Sequence, residues 1–464
     1  MDTKKLRQKI LDLAIRGKLV PQDPYDEPAS VLLERIRAEK ERLVKEGKIK
    51  KSKASKTSDT PHYEQVPFEV PSSWVWTTLG DIGTWQSGGT PSRANKSYYG
   101  GNIPWLKTGD LNDGLITDIP ESITEEAVEN SSAKINPSGS VLIAMYGATI
   151  GKLGILTFPS TTNQACCACI EYNGVTQLYL FYYLLSQREQ FIAKGGGGAQ
   201  PNISKEIIVN TLIPIPPLKE QHAIVDRIKQ YFALIDRIES GKNDLKTIIK
   251  QTKDKILDLA IHGGLVPQDP NDEPASELLK RINPKAEITC DNGQYGKLPD
   301  GWGLIMISKV VELLSGRDLT SNDCNEDEEG VPYLIGASNI VNNHLNITRW
   351  TKNPQVISSI GDILISCKGT IGEIVLNDIG NIHIARQFMA IRPNKNSIIT
   401  EYFQYYLLAM VHNIKDNARG VIPGISREDI LTKYFPLPPL AEQQRIVDAI
   451  DKAFAKLDAI MESL

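Results

Sequence analysis

Apolar residues at Val225, Ile228, Phe232, Ile235, Ile238, Leu245, Ile249, Ile256 and Leu259 recur at three-to-four spacing, with charged and polar residues between them. That period predicts one amphipathic helix. Pro216 and Pro217 stand at its start, where a missing amide hydrogen costs nothing, and Gly263, Gly264 and Pro267 end it. A helix over residues 218–262 spans about 65 Å at about 1.5 Å per residue. Its apolar phase slips near Ser240 and Gly241. A second helix with a similar single stripe would pack against it as an antiparallel, coiled-coil-like pair. On either side the pattern changes to short apolar runs of strand length, such as Val141–Ala144, Ala165–Ile170 and Ile363–Ser366, separated by Gly, Asn and Pro. Each of these regions closes on a helical stretch, Leu178 to Ile192 and Glu401 to Ile414. The expected fold class is α+β: two similar mixed α/β domains of about 145 residues separated by two long antiparallel helices, in a pseudo-twofold cyclic arrangement.

The cyclic order comes from internal repeats. Lys9 to Ile36 and Lys255 to Ile282 agree at 23 of 28 positions, at an offset of 246. A second block, starting at Ile213 and again at Phe435, repeats at an offset of 222. Weaker matches pair the globular regions: Val70–Trp74 with Leu298–Trp302, Thr149 with Thr370, and Pro201–Lys205 with Pro423–Arg427. In the middle of the chain the two blocks are continuous, whereas their second copies are the C-terminus and the N-terminus. By the offsets, Leu464 corresponds to Lys242 and Met1 to Thr247, so the two ends are expected to meet and rebuild a second central unit. Five segments follow: 1–65, a helical half-unit with a basic linker; 66–213, a first globular domain; 214–289, the central helical spacer; 290–436, a second globular domain; and 437–464, a helix completing the half-unit. Ser276 is placed to cap a short helix at Glu277 to Ile282. The stretch Arg35 to Lys56, with Lys48, Lys50, Lys51, Lys53 and Lys56, reads either as a solvated linker or as a phosphate or partner contact.

Composition narrows the function classes. The chain carries a net charge of −4. Residues 1–65 are net +5, but 66–213 and 290–436 are net −4 and −3, so any nucleic-acid face must be a local stripe or be completed by partners. No apolar run is long enough to span a membrane, and the expected location is cytoplasmic. The cysteines lack metal-site spacing, and Cys166, Cys167 and Cys169 sit in a strand-like apolar run, as reduced core residues would. Gly147 to Lys152 resembles a phosphate loop but is one residue short and is followed by Leu153. The run Gly195–Gly198 lacks dinucleotide spacing. No adenine-methyltransferase Asn-Pro-Pro-aromatic motif, Walker motif or nuclease cluster is present. No catalytic or metal residue is therefore assigned, and the chain is expected to be non-catalytic. Two other classes remain open, a fused methyltransferase remnant and a coiled-coil adaptor that binds only protein.

Several motifs converge on one family. They are Pro-Leu-x-Glu-Gln-x-x-Ile-Val (Pro217 to Val225, Pro439 to Val447), the Leu/Val-Pro-x-x-Trp opening of each globular domain, Ser87–Ser92, Ile103–Leu111 and the cut repeat. Over essentially its whole length the chain resembles type I restriction-modification specificity subunits. The resemblance implies two target recognition domains, each reading half of a bipartite asymmetric site in double-stranded DNA. It also implies helical units that set the spacer and dock two modification (methyltransferase) subunits, with restriction (motor-nuclease) subunits joining them. S-adenosylmethionine, ATP and Mg2+ would belong to those partners. Polar and basic residues in Gly-rich loops are the candidate DNA contacts, because Arg and Lys suit guanine and Asn and Gln suit adenine. They are Thr90, Ser92, Arg93, Lys107, Thr108, Tyr146, Thr149, Lys152, Asn163, Gln164, Lys194, Gln200 and Asn202 in the first domain, and Arg317, Ser338, Asn339, Lys368, Thr370, Arg386, Gln387, Arg419 and Ser426 in the second. The duplicated blocks supply the candidate partner-docking residues Leu19, Val20, Pro21, Asp23, Glu220 and Gln221, and their counterparts Leu265, Val266, Pro267, Asp269, Glu442 and Gln443.

Overall fold

The computed structural model describes residues 2–49, 66–195, 202–282, 295, 297–341, 343–417 and 424–464. The basic run beyond Lys48, the glycine run beyond Gly195, and Gln200, Cys290 and Arg419 lie outside the described residues. The chain forms two compact units, Met1–Gly241 and Lys242–Leu464. The division falls within the long helix Leu218–Ile261, near the phase slip.

In the first unit the N-terminal helix Thr3–Ile15, capped by Asp2 accepting from the Lys5 amide at 3.0 Å, runs antiparallel to the first half of the long helix. Arg7 reaches Asp236 at 2.5 Å and lies 4.9 Å from the centre of the Phe232 ring, while Gln22, beyond the other end of the N-terminal helix, reaches Glu220 at 2.8 Å. The second unit repeats these contacts at the positions the offsets predict. Lys253 pairs with Asp458 at 2.6 Å and sits 4.8 Å from the Phe454 ring centre, and Gln268 donates to Glu442 at 3.1 Å. The antiparallel pairing expected from the apolar stripe is thus found in both units. Val225, Ile228, Ile235 and Ile249 are buried as expected, but Ile238 is exposed. The buried seam follows residues 228, 232, 235 and 239, and Ile238 lies about 100° around the helix from Glu239.

The first globular domain is built on a five-stranded sheet in the order Gly83–Ser87, Cys166–Glu171, Val141–Ala144, Leu153–Leu156, Gly114–Ile116. Beside it stands a three-stranded sheet centred on Tyr99–Leu106, which pairs in parallel with Thr161–Thr162. The second domain has a four-stranded counterpart, Val311–Ser315, Phe388–Pro393, Ile363–Ser366, Ile374–Leu376, and a small sheet in which Val331–Leu334 runs parallel to Ile382–Ile384. In each domain a two-stranded ladder, Val75–Thr78 with Leu212–Ile215 and Gly303–Met306 with Tyr434–Leu437, joins the domain's first strand to the one that leads into a long helix. Each unit closes its own apolar core.

Three local expectations are corrected. The stretch after Arg35 is not a free linker as far as it is described. Ala29–Lys45 is one helix that buries Ala29, Leu32, Leu33 and Ile36, and Lys40 reaches Asp81 at 2.9 Å. Ser276 lies inside the helix Ala275–Ile282, which begins directly after Pro274, and so is not its cap. The stretch 178–192 is two helices, Gln177–Ser186 and Arg188–Lys194, with Gln187 between them. The cysteines Cys166, Cys167 and Cys169 lie on the buried strand Cys166–Glu171; burial pushes the Cys167 thiol up to about 12 and raises the other two well above the ordinary thiol range. Such thiols stay protonated and pack as small apolar groups. Gly147–Thr149 is a short 3-10 turn between strands, not a phosphate loop opening a helix.

Candidate nucleic-acid interface

The Glu-Gln signature has an internal task. Glu220 and Gln221, and likewise Glu442 and Gln443, are buried. Glu220 accepts from Gln22 at 2.8 Å and from the Trp74 indole at 2.9 Å. Glu442 accepts from Gln268 at 3.1 Å and from the Trp302 indole at 3.0 Å. Burial pushes both carboxyls above the ordinary 4.5, against the pull of those donors. Gln221 accepts from the Thr176 amide at 2.8 Å and Gln443 from the Ile399 amide at 2.8 Å. Each Glu therefore joins three sequence blocks: the Val-Pro-Gln segment, the Trp that opens the globular domain, and the long-helix N-terminus. Gly17 and Gly263 belong to the same junction. Both have positive φ, and a Cβ on either would come within 2.4 and 2.2 Å of Pro71 and Pro299. Of the docking candidates, Pro21, Asp23, Pro267 and Asp269 are exposed, Leu19, Leu265 and Val266 half-buried, and Val20 buried.

Several DNA-contact candidates lie in the loops between strands, and around Gln164 and Arg386 the two domains share one backbone frame. The Asn163 amide donates to the Leu106 carbonyl at 2.9 Å, as Ala385 does to Leu334 at 2.9 Å. Cys166 closes a tight turn back to Asn163 at 3.1 Å, as Phe388 does to Ala385 at 2.9 Å. Met145 donates to Ala165 at 2.8 Å and accepts from Ile203 at 2.9 Å; Cys367 donates to Gln387 at 2.7 Å and accepts from Ile425 at 3.0 Å. Gly88 donates to Cys166 at 3.1 Å and Gly316 to Phe388 at 3.0 Å. A Cβ on Gly88 would stand 2.2 Å from the Thr162 carbonyl oxygen, and one on Gly316 2.0 Å from that of Ala385, so only glycine lets this loop lie against the turn.

On that common frame the side chains differ. Gln164 and Arg386 occupy the same exposed turn position, Tyr146 stands where Lys368 does, and Ala165 where Gln387 does. In the first domain Thr90 hydrogen-bonds Gln164. Arg93 lies over the rings of Tyr99 and Trp105, 4.5 and 5.0 Å from their centres, and pairs with Glu121 at 3.1 Å. Lys107 pairs with the same carboxylate, and these two cations, Lys107 foremost, hold Glu121 below the usual carboxylate range. Tyr146 is exposed and bridges by backbone to Asn202. Ser92 and Lys194 are exposed, Thr108 and Lys152 half-buried, and Thr149 donates to the Tyr146 carbonyl at 3.0 Å, shaping its own turn.

In the second domain the Arg386 guanidinium pairs with Asp318 at 2.7 Å, and its amide donates to the same carboxylate at 3.1 Å. Arg317, Ser338, Lys368 and Thr370 are exposed, and Gln387 is half-buried against Gly336. Two candidates have structural tasks instead. Asn339 is buried and accepts the Gly336 amide at 3.2 Å, and Ser426 caps the helix Arg427–Leu431 by accepting the Asp429 amide at 3.2 Å. Sequence reading passed over Glu121, Asp318 and His383. The His383 ring, buried against Tyr333, meets the Arg317 carbonyl at 3.0 Å. The first two carried a signal, acidic residues close in sequence or fold to the candidate cations, which counts against DNA binding when charges are only summed. Among the described residues no group of three or more His, Cys, Asp or Glu side chains could hold a metal ion, and no helix is long and apolar enough to cross a membrane.

Comparison with known proteins follows the same lines. Residues 71–247 and 299–464 match the family model of the type I restriction modification DNA specificity domain. The chain is 29% identical to the type I restriction enzyme EcoAI specificity subunit of Escherichia coli, over 97% of this chain and 88% of that one. It is 27% identical to the EcoEI specificity subunit of the same organism, over 99% and 90%. Among solved structures, a chain from a study of complex assembly and conformational transition of the type I R-M system aligns with a TM-score of 0.64 at 22% identity, covering 86% of this chain and 94% of that one. The HsdS subunit from Thermoanaerobacter tengcongensis aligns with a TM-score of 0.53 at 21% identity, over 86% and 93%. At those identities the two structures speak for the fold.

Proposed function

The chain belongs to the type I restriction modification DNA specificity domain family, and from that premise we propose that it is the DNA-reading subunit of a type I restriction-modification enzyme, with no catalysis of its own. Each globular domain reads one half of a bipartite, asymmetric site in double-stranded DNA. The duplicated helical units set the spacer and dock two modification subunits, which restriction subunits join. S-adenosylmethionine, ATP and Mg2+ act in those partners. One observation carries the reading: two domains share a turn frame bond for bond yet present different polar side chains on it, as two unlike half-sites require. Near-identical helical blocks suit two identical partners in the same way.

The test is to assemble the chain with modification subunits, methylate a random-sequence DNA library and sequence the methylated adenines. Methylation confined to one split sequence is expected. Methylation without sequence preference would overturn the reading.

A further inference from the structure

We propose that Gln164 and Arg386, which share one turn position in the two domains, are specificity-determining residues, and that they read an adenine in one half-site and a guanine in the other. This rests on the function proposed above. In each domain the residue sits between the hydrogen-bonded ends of a tight turn, Asn163 to Cys166 and Ala385 to Phe388. That turn is pinned on one side by Met145 or Cys367 and on the other by Gly88 or Gly316. A rigid turn at the end of a strand limits the side chain to few positions, which a base-reading group needs.

The two side chains are oriented differently. Arg386 is exposed, and Asp318 takes its Nε at 2.7 Å. The two terminal nitrogens remain as a fork, which matches the O6 and N7 acceptors of guanine in the major groove. Gln164 is exposed and hydrogen-bonded through its carbonyl oxygen to Thr90. That bond fixes the amide plane and leaves a second lone pair and an NH2 group, the acceptor-and-donor pair that fits adenine N6 and N7. Asp318 and Thr90 are positioning residues, each holding the reading side chain from the loop that follows Gly316 or Gly88.

The experiment uses the chain assembled with its modification subunits and scores methylated sites by sequencing, for wild type, Gln164→Arg, Arg386→Gln and Arg386→Lys. Gln164→Arg should convert one A·T position of a single half-site to G·C and leave the other half unchanged. Arg386→Gln should make the reverse change in the other half. Arg386→Lys, which keeps the charge but loses the fork, should lower discrimination at the guanine about ten- to hundred-fold. If wild type is specific and all three variants methylate its site at wild-type rates, the assignment is overturned while the DNA-reading function stands. Uniform loss of methylation by assembled variants would also overturn it, by placing the residues in general DNA affinity. A wild type without any preference would instead sink the function itself.

Discussion

Glu121 takes hydrogen bonds from both Lys107 and Arg93, so two cations facing a candidate DNA surface are half neutralised before any phosphate arrives. A carboxylate so placed orients the cations and restrains non-specific attraction to the backbone. Glu121→Gln should therefore raise affinity for unrelated DNA and steepen the dependence of log K on log salt by about one. An unchanged slope would mean that the two cations do not face DNA. In the second domain the burial of His383 depresses its pKa below 6.5, opposed by its bonds to the Val356 and Arg317 backbone. The unfolded chain then takes up a proton at a higher pH than the folded one, so the stability this neutral ring contributes is present above about pH 6.5 and falls as pH drops below it. His383→Gln should be less stable than wild type at pH 7.5, and the gap should narrow by pH 5.5 in urea titrations. A gap that widens on acidification would contradict the assignment of a buried, neutral ring.

The helix N-terminus at Leu218, and its counterpart at Leu440, form a junction in which one buried carboxylate serves two side-chain donors. Glu442→Ala leaves the buried Trp302 indole without its acceptor, at about 1–3 kcal/mol, whereas the exposed Gln268 amide keeps the Gly263 carbonyl at 2.8 Å, and Glu220→Ala should behave alike through Trp74. Loss of under about 0.5 kcal/mol in chemical denaturation would place the pair at an ordinary surface. The same junction shows where sequence reading stops. The long helix, the antiparallel pairing and the strand runs were legible because period and duplication both report burial. Glu220 and Gln221 are docking candidates by sequence because they lie in a duplicated block; in the fold they are buried where three distant blocks converge. The turn that carries Gln164 and Arg386 was only half legible. These two residues lie 222 apart, whereas the glycines that brace them, Gly88 and Gly316, lie 228 apart. Unequal loops break the register between two parts of one site, and only backbone hydrogen bonds restore it.

At the scale of the whole molecule, charge is the feature least expected of a DNA reader. The net charge is −4, and both globular segments are acidic by sequence. Part of that acidity is now located: Asp318 and Glu121 pair with candidate reading cations, and Asp362, Asp272 and Asp81 are held in ion pairs with Arg392, Arg445 and Lys40. These carboxylates give structure and orientation to the cations they pair with, and those cations are less available to neutralise phosphates. Specific recognition then depends on base-edge contacts, while the sequence-independent attraction that dominates affinity must come from elsewhere. The isolated chain should accordingly bind its own site hardly better than random DNA, with dissociation constants of about 10⁻⁴ to 10⁻⁶ M at physiological salt. Assembly with the modification subunits should bring the specific site to about 10⁻⁸ M or tighter. Fluorescence anisotropy with specific and scrambled duplexes, with and without those subunits, measures both. If the chain alone discriminated its site at nanomolar affinity in physiological salt, the paired carboxylates would not be limiting its hold on DNA, and the charge argument would fail.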